Sequence, residues 1–376
     1  MKILYNINSM TARAGMEKIL YNKALLLSQI YGHEVFIAMT DMEKAPCLFD
    51  ETEKIRFLDL KVNYYKAFSR KNIISKWGCL IKCQQLHKHK LKEVLNQINP
   101  DVIVSLGDLD EWIIPKVAYN IPTVNECHFH YSYRTEWNHS IYQRVRLAFN
   151  KKLKSKYSVF VALTEEDKKS WKLQNCVVIP NFSLFRGKCT DEREKKVIAV
   201  GRLTFQKGFD QLIEIWARVI RRNGKDKTWP LEIYGCGEEE ESLNVLIKES
   251  HLEDSITLKG NVSNIAQVYN SSSIIAVTSR YEGFPLSIIE GMSCGVVPVS
   301  FDCKQGPKEI ITNQSGYLIN QGDYDGFANA LINLMNDEKK LRQMSLNSIE
   351  RANQFSPEKV MQKWNDLFVS LTSAGK

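Results

Sequence analysis

Short apolar runs and amphipathic stretches alternate along this sequence, and the period of the apolar positions switches from two to between three and four at each change. Residues 2–8, KILYNIN, predict an opening strand. A loop from Ser9 to Gly15 follows, then a helix with Ile19, Leu20, Ala24, Leu25 and Leu27 along one broad face. Gly32 ends that helix and EVFIAMT begins a second strand, so the first forty residues read as a βαβ unit. DVIVSL (101–106), PTVNE (122–126) and short runs at 158–161 and 176–179 continue the series. A polar stretch from Pro180 to Glu194 interrupts it and predicts a linker, with a boundary near Asn181. The alternation restarts with a strand over 196–200, then LEIY, SITLKGNV, the run from Ile274 and GYLI, before two amphipathic helices and a break at Pro357. Such a pattern predicts an α/β protein with two parallel-sheet domains, over 1–180 and 181–355, and a terminal helix over 356–376.

The most informative stretch is IIAVTSRYEGFPLSIIEGMSCGVVPVSFDCKQGPKEII, Ile274 to Ile311. Its β-branched start (Ile274, Ile275, Val277) predicts a strand, its polar Gly-containing centre a turn, and Leu286, Ile289 and Met292 one side of a helix that Gly295 stops. A turn of this kind lies at the carboxyl edge of a parallel sheet, where open α/β folds bind ligands and a new helix offers free N–H groups to an anion. Glu282 stands in the turn and Glu290 on the helix. At 1.5 Å per helical residue they are roughly 10–12 Å apart, too far to share a proton and suited to two parts of one long ligand. A second loop of the same type follows the strand at 196–200. It carries Gly201, Arg202 and Leu203, then Gln206, Lys207 and Gly208. An Arg fork and a Lys point charge there suit a diphosphate.

Length and composition bound the reading. At 376 residues the chain exceeds one ordinary core, and 44% hydrophobic with 25% charged residues is the balance of a globular protein. No apolar run reaches the roughly 18 residues that span a bilayer, and MKILYNINSM has no signal-peptide pattern, so the expectation is cytoplasmic. Nine cysteines at irregular spacing, without a C-x-x-C, fit buried thiols in a reducing compartment. The net charge of +8 has its basic excess in the first half. Between Leu60 and Lys92 stand Lys61, Lys66, Arg70, Lys71, Lys76, Lys82, Lys88, Lys90 and Lys92 with no acid, interleaved with Tyr64, Tyr65, Phe68 and Trp77. This pattern predicts docking to an anionic surface, with a second basic run at 151–156. No nucleic-acid-binding signature accompanies it. Asp108 and Asp110 could be read as a metal-binding D-x-D, but two carboxylates before a helix are ordinary N-terminal chemistry.

Glu282 and Glu290 with seven residues between them, set in EGFPLSIIEGMSCGVVPV and followed by GPKEII, together with G-R-L and Q-K-G after the strand at 196–200, resemble the signature of family 4 retaining glycosyltransferases of the GT-B fold. The resemblance implies two Rossmann-like domains facing an interdomain cleft, the first binding acceptor and the second a nucleotide sugar, with the last helix crossing back. It implies that Glu290 holds the ribose hydroxyls and that Glu282 sits against the transferred sugar. Amides around Gly283, Phe284 and Leu286 line the diphosphate, Arg202 and Lys207 neutralise the leaving group without a metal or other cofactor, and Asn261 and Val262 frame the base. Gly15 belongs to the first loop, where Met16 replaces one glycine of the family's usual pair. After the strand at 122–126, His128 or His130 is expected to contact the sugar or the acceptor, with His128 preferred.

The implied reaction moves a hexose or N-acetylhexosamine from a nucleotide diphosphate sugar, expected to be UDP-linked, to a polyprenyl-diphosphate-linked glycan or a lipid. The setting is capsule, exopolysaccharide or lipopolysaccharide synthesis on the inner face of the plasma membrane, reached through basic residues 61–92. Two rivals stand beside it: a nucleotide-sugar 2-epimerase, which would use the same cleft without an acceptor, and a non-catalytic sugar-nucleotide-binding subunit.

Overall fold

A computed structural model describes residues 1–11, 15–42, 47, 49–107, 109–128, 141–187, 193–304 and 306–373. It divides into two units, Met1–Pro180 with Glu358–Lys376, and Asn181–Pro357.

The first unit contains β1 (Lys2–Ile7), α1 (Gly15–Tyr31), β2 (Glu34–Met39), β3 (Ile55–Asp59), α2 (Tyr64–Phe68), α3 (Ile73–Ile98), β4 (Val102–Ser105), α4 (Ile114–Val117), β5 (Thr123–Glu126), α5 (Ile141–Lys154), β6 (Val159–Ala162), α6 (Glu165–Trp171) and β7 (Cys176–Val178). Its sheet is parallel with strand order β3-β2-β1-β4-β5-β6-β7. Every residue of β4 and β5 is buried, as expected of parallel strands covered on both faces. Asn72 opens α3 by accepting a hydrogen bond from Ser75 N, and Asn99 closes it in the left-handed conformation at φ 51°.

The second unit contains β8 (Val197–Val200), α7 (Phe209–Asn223), β9 (Leu231–Tyr234), α8 (Glu240–Glu249), β10 (Ile256–Gly260), α9 (Ile265–Ser271), β11 (Ile274–Val277), α10 (Leu286–Ser293), β12 (Val297–Asp302), α11 (Pro307–Ile310), β13 (Tyr317–Asn320), α12 (Tyr324–Asn336) and α13 (Glu338–Ala352). Its parallel sheet runs β10-β9-β8-β11-β12-β13. The core packs Trp216, Leu212 and Ile215 of α7 and Phe327 and Leu331 of α12 against Val197, Ile233 and Val299 of the strands.

The final helix, α14 (Pro357–Ser373), packs on the first unit. Lys23 Nζ lies 3.9 Å from the centre of the Trp364 ring, and His33 Nε2 is 3.0 Å from Asn365 Oδ1.

In each sheet the chain starts at a central strand, winds one way, then returns to the other side. The strand order therefore reverses between β1 and β4 and between β8 and β11. At such a reversal the two following loops diverge and leave a crevice at the carboxyl edge. The loops at the second reversal carry Lys207 and Glu282.

Several residues sit differently from the sequence reading. Tyr64 does not join the basic surface: it is buried, its hydroxyl 3.1 Å from His87 Nδ1. Lys154 leaves the second basic run for the interior, where its ammonium pairs with Glu111 and lies 3.1 Å from Asn125 Oδ1. Asp110 puts only its main-chain carbonyl at the start of α4, accepting from Ile113 N and Ile114 N. Its side chain is buried and accepts from Asn6 and Ser105. Asp108 and His130 lie outside the described residues. Among the described residues no helix is long and apolar enough to cross a membrane.

Candidate active site

In the second unit, two loops at the strand reversal are laced together before any ligand is considered. Thr278, the residue after β11, donates its hydroxyl to Gly208 O at 2.9 Å, and Gln211 Nε2 donates to Thr278 O at 3.0 Å. Arg280 forks onto Asp210 at 3.0 and 2.5 Å, donates to Phe205 O at 2.7 Å, and stacks on the Phe205 ring at 3.9 Å. Gln206 Nε2 donates to Tyr281 O at 3.1 Å. Gly208 is required here: its φ is 63°, and a Cβ would stand 2.4 Å from Thr278 O.

This lacing brings Lys207 and Glu282 together, Nζ to Oε1 at 2.6 Å. Ser279 Oγ donates to the same oxygen at 2.6 Å, so the carboxylate is fixed by two donors. The Lys207 stem runs over Gly201, where a Cβ would lie 3.1–3.3 Å from its methylenes. Lysine is thus held at both ends: its stem by a residue without a side chain, its charge by a buried acid. Arg202, on the same loop, is exposed, and its side chain has no partner among the described residues. It remains available to an anion.

Glu290, on α10, accepts a hydrogen bond from the hydroxyl of buried Tyr269 at 3.1 Å. Burial, then the charge of Glu290, pushes that phenol well above its usual range, so it stays a donor. Phe284 is buried against Phe355, ring centres 5.5 Å apart. Gly283 and Leu286 flank the start of α10. Asn261 donates to Cys236 Sγ at 2.9 Å beyond β10, and Val262 beside it is exposed. Sequence reasoning missed Ser279, Tyr269 and the Arg280–Asp210 clamp. Only the clamp left a trace, as charges on both loops beside the motif.

In the first unit the strand reversal carries a buried polar network. Asn6, at the end of β1, donates to Asp110 Oδ2 at 2.6 Å, and Ser105, at the end of β4, donates to Asp110 Oδ1 at 2.9 Å. Asn125 Nδ2 reaches Ser105 Oγ at 3.3 Å. Burial raises the Asp110 carboxyl to about 7, against the pull of Asn6 and Ser105. For a carboxyl raised on folding, stability is fully present below its unfolded value, about 3.9, and is lost as pH rises through about 7. Asp110→Asn should therefore flatten the fall in thermal stability of the wild type between those limits. Equal pH profiles for the two proteins would show Asp110 ionised throughout.

Beside it, the ammonium of Lys23 on α1 pairs with Glu126 Oε1, and His128 Nε2 lies 3.1 Å from that oxygen, within ion-pair distance but out of line for a hydrogen bond. Burial would raise the Glu126 carboxyl. Lys23, then His128, oppose this, and the result is about 2. His128 is thus set beside a permanent carboxylate. Gly15 begins α1 and is exposed. The legible signal for this pair was Lys23 itself, a lysine inside the apolar stripe of Ile19, Leu20, Ala24 and Leu27.

Among the described residues no group of three or more His, Cys, Asp or Glu is arranged to hold a metal ion. A cavity of about 520 Å³ opens at the opposite, amino edge of the second sheet, lined by Arg193, Lys195, Trp229 and Arg342 among others. It shares no residue with the Lys207–Glu282 pair.

Residues 183–351 match the family described as glycosyl transferases group 1. The chain is 35% identical over 219 residues to the amylovoran biosynthesis glycosyltransferase AmsD of Erwinia amylovora, across 55% of this chain and 61% of AmsD. It is 30% identical over 288 residues to an uncharacterized glycosyltransferase of Haemophilus influenzae, across 74% of this chain and 79% of that protein. Among solved structures, a mutant of S. aureus TarM in complex with fondaparinux, alpha-GlcNAc-glycerol and UDP superposes with a TM-score of 0.80 at 15% identity, over 98% of this chain and 99% of that chain. The two-sheet architecture is that of the GT-B structures.

Proposed function

Because this chain belongs to the group 1 glycosyltransferases, we propose that it is a retaining, family 4 enzyme that moves a hexose or N-acetylhexosamine from a UDP-sugar to a glycan or lipid-linked acceptor. The setting is cell-surface polysaccharide, capsule or lipopolysaccharide synthesis. The observation that carries the reading is the Lys207–Glu282 pair at the strand reversal of the second sheet, with Arg202 exposed on the loop that carries Lys207. UDP as nucleotide is supported by the UDP that TarM carries, and a surface polysaccharide by the amylovoran role in the name of AmsD.

In this reading, loss of the nucleoside diphosphate develops negative charge beside a cation that is already in position. Lys207 and Arg202 counter that charge without an added metal, and the amides of Gly283, Phe284 and Leu286 add hydrogen bonds at the start of α10. Glu282 keeps Lys207 oriented and lies against the sugar. Glu290 accepts from the ribose hydroxyls, while Asn261 and Val262 border the base. The loop of Gly15 approaches donor and acceptor, and His128, with the Glu126 carboxylate beside it, meets the sugar or the acceptor. The acceptor is a polyprenyl-diphosphate-linked glycan or a lipid at the cytoplasmic face of the plasma membrane. Neither the epimerase nor the non-catalytic reading gains an observation of its own.

A thermal-shift panel of UDP, GDP and their common sugars tests the donor, with stabilisation expected from UDP and one UDP-sugar. Glu290→Ala should raise KM for that sugar about 10- to 100-fold, the loss of a hydrogen bond to a charged group. No shift with any nucleotide, or an unchanged KM, would remove the donor assignment.

A further inference from the structure

Helix α3 has two apolar faces, and only one belongs to the core. Cys83, His87, Leu91 and Leu95, four residues apart, are buried in the first unit. Ile74, Trp77 and Ile81 repeat at spacings of three and four and form a second stripe. At about 100° per residue, Ile74 and Ile81 point roughly 160–180° away from Cys83, directly outward. Their exposures are 84% for Ile74, 63% for Trp77 and 51% for Ile81, and Ile73 beside them is 71% exposed. Phe68 of α2, 47% exposed, lies instead under Lys76, its ring centre 5.4 Å from Nζ, and is not part of this stripe. Helices of folded proteins rarely leave so much contiguous apolar surface in water unless something covers it.

Charge identifies the cover. The patch stands within the acid-free segment Leu60–Lys92, with Lys71 and Lys82 exposed beside it. A second copy of the chain would bring two such cationic fields face to face. An anionic bilayer offers acyl chains to the isoleucines, an interface to the indole, and phosphates to the lysines. We propose that the first unit docks on anionic membrane by inserting the Ile73–Ile74–Trp77–Ile81 stripe of α3 into the headgroup boundary, with the surrounding lysines on lipid phosphates. Docking is thus by apolar insertion as well as by charge, so part of it withstands salt. The inference deepens the transferase reading and rests on it only for the membrane-borne acceptor.

The test floats the full chain, without donor, on vesicles of equal parts phosphatidylglycerol and phosphatidylcholine at about 0.1 M and about 0.5 M salt. The wild type is expected to float at both, less at the higher. Lys71→Glu with Lys82→Glu should lose most of the low-salt binding. Ile74→Ser with Trp77→Ser should weaken binding about tenfold and abolish what remains at high salt. These side chains are exposed, so both variants should melt with the wild type. They should also turn over donor with a soluble acceptor as it does. A wild type that stays unbound, Ile74→Ser/Trp77→Ser binding equal to wild type, or a dimer in solution that this variant dissociates would overturn the inference. Vesicle binding without any donor turnover would leave the docking standing and remove the transferase reading.

Discussion

Lys207→Ala should reduce donor turnover about a hundred- to a thousand-fold, the usual cost of removing one preoriented group that meets charge developing in a transition state. The effect should fall on kcat, because the cation is worth most after the bond to the diphosphate has begun to break. Lys207→Arg should not rescue it: the lysine stem crosses Gly201 at van der Waals limits and its single charge meets one carboxylate oxygen, an arrangement a planar fork does not fit. Glu282→Gln should lose a comparable factor. The double variant should lose far less than the product of the two, since each residue acts through the other. Multiplicative losses in steady-state assays would mean that the pair is incidental.

Lys23→Met should destabilise the first unit by about 3–5 kcal/mol, because it strands the Glu126 carboxylate in the interior. Lys23 is almost fully buried, its ammonium covered by the Trp364 ring. In the wild type, Glu126 is depressed to about 2, so its contribution is present above the ordinary carboxylate range and lost only as pH falls toward that value. Without Lys23 the sign reverses. Burial then raises Glu126, and the deficit of the variant should shrink as acid protonates it. Lys23→Met with Glu126→Gln should recover most of the loss, with a neutral amide where the ion was. Urea unfolding of the three proteins at neutral and mildly acid pH checks this. A single variant as stable as the wild type would mean that water reaches the pair.

These two sites were unequally legible in the sequence. The second unit announces its chemistry because both partners lie in short loops that follow apolar strands, and the Gly, Pro and charge pattern of each loop is local. Lys207 and Glu282 are 75 positions apart, yet each could be placed at the same sheet edge from its own neighbours. In the first unit the chemistry is non-local. Lys23 and Glu126 are separated by 103 positions, and Asn6 and Asp110 by 104. No short window reveals that a charge is buried when its counter-charge arrives from another strand. The same reason sent Lys154 to the surface in the sequence reading. β3 was missed because IRFLD has charge at two of five positions, and its pairing with β2 decides its state. The outward stripe of α3 was half seen. Trp77 stands out among the lysines, but Ile74 and Ile81 pass for core positions until Cys83 and His87 are known to fill that role.

The polypeptide leaves its first unit at Pro180 and returns to it at Glu358. On the ribosome, the second unit is therefore fully translated before the first has all its parts. Until Trp364 emerges, Lys23 has no lid, and the longest wait in the biogenesis of this chain belongs to the half that was made first. Truncation just after Pro357 would spare the Lys207–Glu282 pair and the loops that hold it yet leave the earlier-made half permanently unfinished.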